Sequence, residues 1–236
     1  MNKIKKRLRN LLMEESFNPT WKSIFINSSY FSRKGLLRYI NNSKKYMKGV
    51  CLDFGCGTQP YKKLFKCKKY IAIDYPQTRS KSDKNIIWYD GKHIPLKNNC
   101  IDCILTTEVM EHIPNLDEIL KECNRVLKNE GHIIITIPFL FPEHENPYDF
   151  RRFTNEGIKM LLEKHGFKIV ILEKTSTYIE MIFQLIQVYI NKYLRFGKFN
   201  YLIIAIVNIM GILLNKILPK NYDGYINNFI IAKKYL

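Results

Sequence analysis

Apolar residues follow two rhythms along this chain. Short runs that are apolar almost throughout alternate with stretches in which apolar positions recur every third or fourth residue. The first rhythm predicts buried strands and the second predicts helices. "GVCLDF" at 49–54 opens the series as a strand, and "KYIAIDYP" at 69–76 is a second that ends in an acid. "IIWYDGKHIPL" at 86–96 reads as a third strand and then a loop with Gly and Pro. "IDCILTTEVMEHI" at 101–113 is a fourth that runs into polar residues. "HIIITIPF" at 132–139 is apolar enough to be buried on both faces, as parallel strands are. "FKIVILEKT" at 167–175 and "YINNFIIAKK" at 225–234 are a sixth and a seventh.

Helical spacing fills the gaps. Residues 29–47 place Leu36, Leu37 and Ile40 among basic residues, and Pro60 opens a short helix. Residues 115–129 give one stripe of Leu116, Ile119, Leu120, Cys123, Val126 and Leu127. Asp117 and Glu118 suit its first turn, Lys128 its last, and Gly131 follows. Thr154 starts another helix that Gly166 ends. Strands alternating with helices predict an α/β three-layer sandwich, a mostly parallel sheet with helices on both faces.

Residues 178–220 break the alternation. Ile179, Ile182, Phe183, Ile186, Tyr189, Ile190 and Tyr193 keep helical spacing up to Gly197. The next stretch, "YLIIAIVNIMGILLNKIL" at 201–218, is apolar nearly all round, interrupted by Asn208 and Asn215. A bilayer span needs roughly 20 apolar residues, so a hydrophobic helical hairpin fits better. Core packing, a partner chain and a monotopic membrane contact all remain open for it. The expected organisation is a basic helical region over 1–47 and one domain over 48–236, with 178–220 inserted before the last strand.

Charge and cysteine usage narrow the setting. A quarter of the residues are charged and 46% are hydrophobic, which excludes a disordered chain. The formal charge of +17 is compatible with nucleic acid, an anionic membrane surface or an acidic substrate. No nucleic-acid recognition module is visible, so none is expected as a partner. Cys51, Cys56, Cys67, Cys100, Cys103 and Cys123 sit mostly in apolar runs, as reduced thiols of a cytoplasmic protein do. The Cys100–Cys103 pair has no second pair at zinc-site spacing, so no metal site is expected. "MNKIKKRLRNLL" at 1–12 lacks the longer apolar core of a signal peptide. It reads as a basic amphipathic helix, either docked on the domain or lying at the inner face of a membrane.

Polar residues cluster where an open parallel sheet binds ligands, at the carboxyl ends of the strands. The first strand ends in Asp53, Phe54, Gly55, Cys56, Gly57, and the second in Asp74. The third is followed by Asp90 and Gly91, and the fourth delivers Glu108, Glu111 and His112. Glycines admit close backbone approach, and an acid after the second strand can accept both hydroxyls of a ribose. The GxGxxG pyrophosphate fingerprint is incomplete, because Gln59 interrupts it. That spacing argues for a nucleoside ligand without phosphates.

Taken in order, "VCLDFGCGTQP", "IAIDYP", "YDGKHIPL", "CILTTEVMEHI" and "ILKECNRVLKNEGHIIITIPF" resemble the class I S-adenosylmethionine-dependent methyltransferases, type 11-like, from about 48 to 175. The resemblance implies a Rossmann-like sheet of seven strands, the last antiparallel and inserted beside the sixth. It implies S-adenosyl-L-methionine as cofactor. Gly55, Cys56 and Gly57 would line its methionine part and Asp53 would organise its amino group. Asp74 and Tyr75 would hold the ribose, Asp90 and Gly91 the adenine edge, and backbone near Thr106 and Thr107, with Glu108 beside it, would face the methionine. Gln59 departs from the commoner glycine, at little cost if the backbone there is ordinary.

"PFLFPEHENPYDFRRFT" at 138–154 is similar to a segment of methyltransferases associated with bacterial surface-polysaccharide biosynthesis. The expected acceptor is therefore a small molecule or a lipid-linked saccharide, with a lipid or quinone, or a catalytically inactive scaffold, as alternatives. Methyl transfer to oxygen or ring nitrogen can need a base. His112, His144, Glu111, Glu143 and Asp149 are candidates; histidine titrates nearest neutrality, and His112 is favoured because it starts a helix facing the site. Arg152 can hold an acidic acceptor, or pair with Asp149 instead.

Overall fold

The computed structural model describes residues 11–76, 85–194 and 197–235. Apart from Leu11 and Leu12, the basic stretch at 1–12 lies outside the described residues. The strands are β1 (Val50–Phe54), β2 (Lys69–Asp74), β3 (Ile86–Trp88), β4 (Ile101–Thr107), β5 (Leu127–Pro138), β6 (Phe167–Lys174) and β7 (Asn227–Lys234). They form one sheet in the order β3-β2-β1-β4-β5-β7-β6. β1 to β5 pair in parallel, with Asp53 opposite Ala72 on one side and Leu105 on the other. β7 runs antiparallel to its neighbours, as the resemblance implied. Strand order reverses between β1 and β4, and the crevice at such a switch point is where open α/β sheets bind ligands.

The longer helices are α1 (Tyr30–Asn42), α2 (Leu116–Val126), α3 (Asn155–Lys164), α4 (Tyr178–Tyr193) and α5 (Asn200–Ile217). The whole apolar stripe of α2 is buried, in one core with Leu52, Phe54, Ile104, Ile133 and Ile135 from the sheet. α2 ends three residues before the sequence pattern predicts. Leu127 leaves the helix to pair with Ile101, and the ladder resumes at Cys103 and His132 after an irregularity. Glu130, with φ +67°, helps make that bulge. α3 starts at the expected cap, where Gly157 N–H donates to Thr154 Oγ1 at 3.1 Å. The helix predicted after Pro60 is a single 3₁₀ turn, Lys62–Leu64.

Two compact units divide the chain. One joins Ile40–Glu173 to the chain from Asn228 onward and contains nearly all of the sheet. The other joins the residues up to Tyr39 to Lys174–Asn227.

Within this second unit α4 and α5 form the expected hairpin, and polar groups tie it together. Asn208, fully buried, donates to the carbonyls of Ile24 and Asn27 at 2.9 and 3.1 Å. Gln187, also buried, donates to Asn208 Oδ1 and to the Ile204 carbonyl. Thr177 and Glu180 form a reciprocal capping box at the start of α4. A side chain at Gly211 would collide with Phe31 and Phe183, so the glycine allows close packing there. α5 is long and apolar enough to cross a membrane by length and composition, yet only 28% of it is buried. Leu202, Ile206, Leu213 and Ile217 all remain about half exposed or more.

Candidate functional site

The carboxyl end of β1 carries the first cluster. Asp53 is almost fully buried and accepts a hydrogen bond from the Tyr70 hydroxyl. Burial pushes its carboxyl up to about 7; the Tyr70 bond opposes this, and the nearby Asp74 charge adds to it. The following loop has three left-handed residues in five, Gly55 at φ +70°, Gly57 at +50° and Gln59 at +56°. Gln59 is thus not in ordinary backbone. A non-glycine residue there costs about 1 kcal/mol, a strain that the sequence reading did not anticipate.

Hydrogen bonds fasten this loop to β2. Gly55 and Cys56 N–H both donate to the Ile73 carbonyl, at 2.9 and 3.1 Å. Gly57 N–H donates to Asp74 Oδ2 at 3.0 Å, and Tyr75 N–H donates to Asp74 Oδ1 at 2.8 Å. A Cβ on Gly55 would lie 2.5 Å from the Val109 methyls, so the glycine lets the β1 loop meet the turn after β4. Gly91, at φ +84°, lies against the Tyr75 ring, which meets Tyr89 edge-on at 5.9 Å. Asp90 is exposed, and its Oδ1 accepts from Lys92 and His93 N–H at 2.8 and 2.7 Å. Those two bonds hold it below the usual carboxylate range and commit that oxygen to shaping the loop.

After β4, Thr107 pairs with Thr136, and Glu108 N–H donates to the Thr136 carbonyl at 3.0 Å. Glu108 is left-handed at φ +53°, a strained conformation for a non-glycine residue. The proposed cofactor positions therefore fall at the carboxyl ends of β1, β2, β3 and β4.

A second cluster follows at once. Glu111 is fully buried, and neither of its carboxylate oxygens has a hydrogen-bond partner. Burial, reinforced by the Glu108 charge, raises its pKa well above the ordinary value. His112 Nδ1 lies 2.7 Å from the Tyr148 carbonyl, so that nitrogen carries the proton in the neutral ring. Its Nε2 is 3.7 Å from Glu111 Oε1. The His144 ring meets His112 edge-on with centroids 4.9 Å apart. Burial lowers the His144 pKa, with the Asp149 carboxylate acting against it.

Arg152 takes the second of its two expected roles, and Asp149 does not suit that of a base. Arg152 forks onto Asp149 with N–O distances of 2.5 and 2.6 Å and also reaches the Phe141 carbonyl. It takes the ion-pair alternative, which leaves its guanidinium committed within the loop. That pairing holds the Asp149 carboxyl at about 2, too acidic for a general base at neutral pH. Glu143 is exposed. Arg151, passed over in the sequence, donates to the carbonyls of Met110, Ile113 and Pro114 and so braces the turn carrying Glu111 and His112. Neither Arg151 nor Tyr70 stands out in the sequence, because no spacing marks an arginine aimed at carbonyls or a strand tyrosine aimed at an acid.

Residues 52–135 match the family described as a methyltransferase domain. An uncharacterized protein of Methanocaldococcus jannaschii is 33% identical over 141 residues, covering 57% of this chain and 60% of that protein. A "probable S-adenosylmethionine-dependent methyltransferase" of Mycobacterium tuberculosis is 24% identical over 153 residues, 59% of this chain and 56% of its own length. The alignments thus span little more than half of these curated relatives. A solved S-adenosylmethionine-dependent methyltransferase of Archaeoglobus fulgidus superposes with TM-score 0.56 at 22% identity, over 95% of this chain and 99% of that one. The [4+2]-cyclase SpnF superposes with TM-score 0.58 at 17% identity, over 88% and 83%. The resemblance to class I S-adenosylmethionine-dependent methyltransferases therefore holds in sequence and in fold. Since a cyclase shares the fold, the reaction has to be argued from the site.

Proposed function

We propose that this protein is an S-adenosylmethionine-dependent methyltransferase. The observation that carries the reading is the acid-lined cradle at the strand switch point. Asp53 and Asp74 flank a left-handed loop, which the turn carrying Glu108 meets through Val109 at Gly55. Such a site favours a cationic nucleoside over a polyphosphate. A carboxylate can accept about four hydrogen bonds, so Asp74 can fix the loop and also take ribose hydroxyls. Asp53 would face the amino group, Gly55, Cys56 and Gly57 the methionine chain, Tyr75 the ribose, and Asp90 and Gly91 the adenine. Thr107 and Glu108 would complete the methionine end. When bound, the cofactor supplies a methyl group already activated by a sulfonium, so the protein's task is mainly alignment.

The acceptor would enter beside the second cluster. His112 offers Nε2 as a proton acceptor, because Tyr148 holds the proton on Nδ1. Arg152 and Asp149 would position the loop around it. Calorimetry with S-adenosylmethionine and with S-adenosylhomocysteine tests the reading, together with release of S-adenosylhomocysteine on adding cell extract. Binding with no turnover on any extract would favour a cofactor-binding scaffold, and no binding at all would defeat the proposal.

We further propose a lipid-linked saccharide as acceptor, with the enzyme at the inner face of a membrane. The support is the exposed apolar face of α5 together with the charge of its surroundings. Residues 178–220 contain five basic side chains, Lys192, Arg195, Lys198, Lys216 and Lys220, against one acid, Glu180. A basic, apolar segment of this kind suits an anionic bilayer. Flotation with vesicles containing anionic lipid should carry the protein upward, and Leu202→Glu with Ile206→Glu should abolish flotation. Equal flotation of the variant would refute the membrane contact, and a concentration-dependent dimer lost in the variant would point to a partner chain.

A further inference from the structure

We infer that Glu111, His112 and His144 form a binding site for one divalent first-row metal ion. One ligand atom from each lies within 4.8 Å of the other two. Two atoms sharing an ion tetrahedrally at about 2.1 Å stand about 3.4 Å apart. Closing the widest gap therefore takes about 1.4 Å of movement shared between two side chains. Acidic and histidine groups often lie together without an ion, so proximity alone decides nothing.

The stronger observation is Glu111 itself. Its side chain is wholly buried, and both oxygens lack a hydrogen-bond partner. A buried carboxylate without partners costs several kcal/mol; it either takes up a proton or persists as the anion where a cation neutralises it. The available neighbour is the imidazole of His112, 3.7 Å away, which is too far for a hydrogen bond.

The histidines are prepared as ligands. Tyr148 fixes the proton of His112 on Nδ1, which leaves the Nε2 lone pair toward Glu111. His144 Nδ1 lies 3.3 Å from both the Pro142 carbonyl and Asp149 Oδ2, two acceptors that outnumber the one more distant donor, Arg152 Nη2 at 3.5 Å, and so favour a proton there and a lone pair on Nε2. Backbone or carboxylate partners on the far nitrogen are the usual outer shell of metal-bound histidine. Charge agrees as well. Glu108 adds a second negative group beside Glu111. Arg152 acts on Glu111 from a distance, and Asp149, paired with it, acts in the opposite sense.

Two imidazoles and a carboxylate, without a thiolate, select an ion between Mn²⁺ and Zn²⁺. Three protein ligands leave positions open for water or for an oxygen of a second molecule. With an ion bound, His112 would be a ligand and the ion would promote proton loss from such an oxygen. The site does not depend on the methyl-transfer reading, because ion binding is measured directly.

The test is calorimetric titration of the chelator-treated full chain with Mn²⁺ and Zn²⁺, and absorption spectroscopy with Co²⁺. One ion per chain is expected, with weak visible Co²⁺ bands and no near-ultraviolet thiolate band. Glu111→Gln and His144→Gln should each weaken binding at least 100-fold. If Glu111→Gln does not fold, His144→Gln, on a half-exposed ring, carries the test. The inference is overturned if no ion binds stoichiometrically, if either folded variant binds as tightly as the parent, or if a thiolate band shows that cysteines hold the ion.

Discussion

Asp53 and Asp149 are both carboxylates shut away from water, and their surroundings push them in opposite directions. Asp53 has a phenol for a partner and another acid nearby, and burial lifts it to about 7. Asp149 has the fork of Arg152, which holds it at about 2. The difference separates the two halves of the site. In the half at β1 and β2 Asp53 is bonded to a phenol, with Lys62 only a weaker electrostatic influence, as suits a ligand that brings its own positive charge. The half beyond β5 is internally paired and braced by Arg151 and Arg152. Glu111, in the turn after β4, accepts no hydrogen bond on either carboxylate oxygen.

The largest effect is expected at the boundary between loop and ligand. Asp74→Ala removes the acceptor shared by Gly57, Tyr75 and the proposed ribose. Hydrogen bonds to a charged group contribute about 1.5–3 kcal/mol each, so affinity for S-adenosylmethionine should fall on the order of 100-fold or more by calorimetry. Retention within tenfold would remove Asp74 from the cofactor site. Next in size is Arg152→Ala, which strands Asp149 without its cation. Urea denaturation should show a loss of about 3 kcal/mol, while Arg152→Lys should recover part of it; an unchanged midpoint would mean that the fork holds nothing together.

The smallest effect is on the pH profile, and it tests the contrast itself. Asp53 binds its proton more tightly folded than unfolded, so its contribution to stability is present below about pH 4 and is lost as pH rises through about 7. Asp149 does the reverse: its contribution is present above about pH 4 and is lost as pH falls through about 2. Asp53→Asn should flatten the decline between pH 4 and 7 in thermal melts and leave the acid limb unchanged. A decline of unaltered slope would show that Asp53 is not the group titrating there.

Much of the first half was legible without coordinates. An apolar run that ends in an acid and two glycines places a loop at a strand end whatever the tertiary context. The order of such ends along the chain then assembles Asp53, Gly55, Gly57 and Asp74. The second half was less legible. His112 and His144 are 32 positions apart in sequence, and only the return of the 138–154 loop sets their rings together. Arg152 had two open roles, and the choice fell to Asp149 because three residues of loop geometry bring the two together.

The helices divide in the same way. The stripe of α2 declared its buried face, since one side is apolar and the other polar, and only its last turn was lost to the pairing of Leu127 with Ile101. α5 is apolar on every side, so its pattern could not say which face packs. Asn208 looked like an interruption in the sequence, yet it is buried and donates to two backbone carbonyls. Periodicity reports which residues avoid water, and that was enough for the strands, the sheet and the donor loop. It carries no information on which polar groups meet across the chain. The pairing of Asp149, the isolation of Glu111 and the exposed face of α5 were therefore decided by tertiary structure alone.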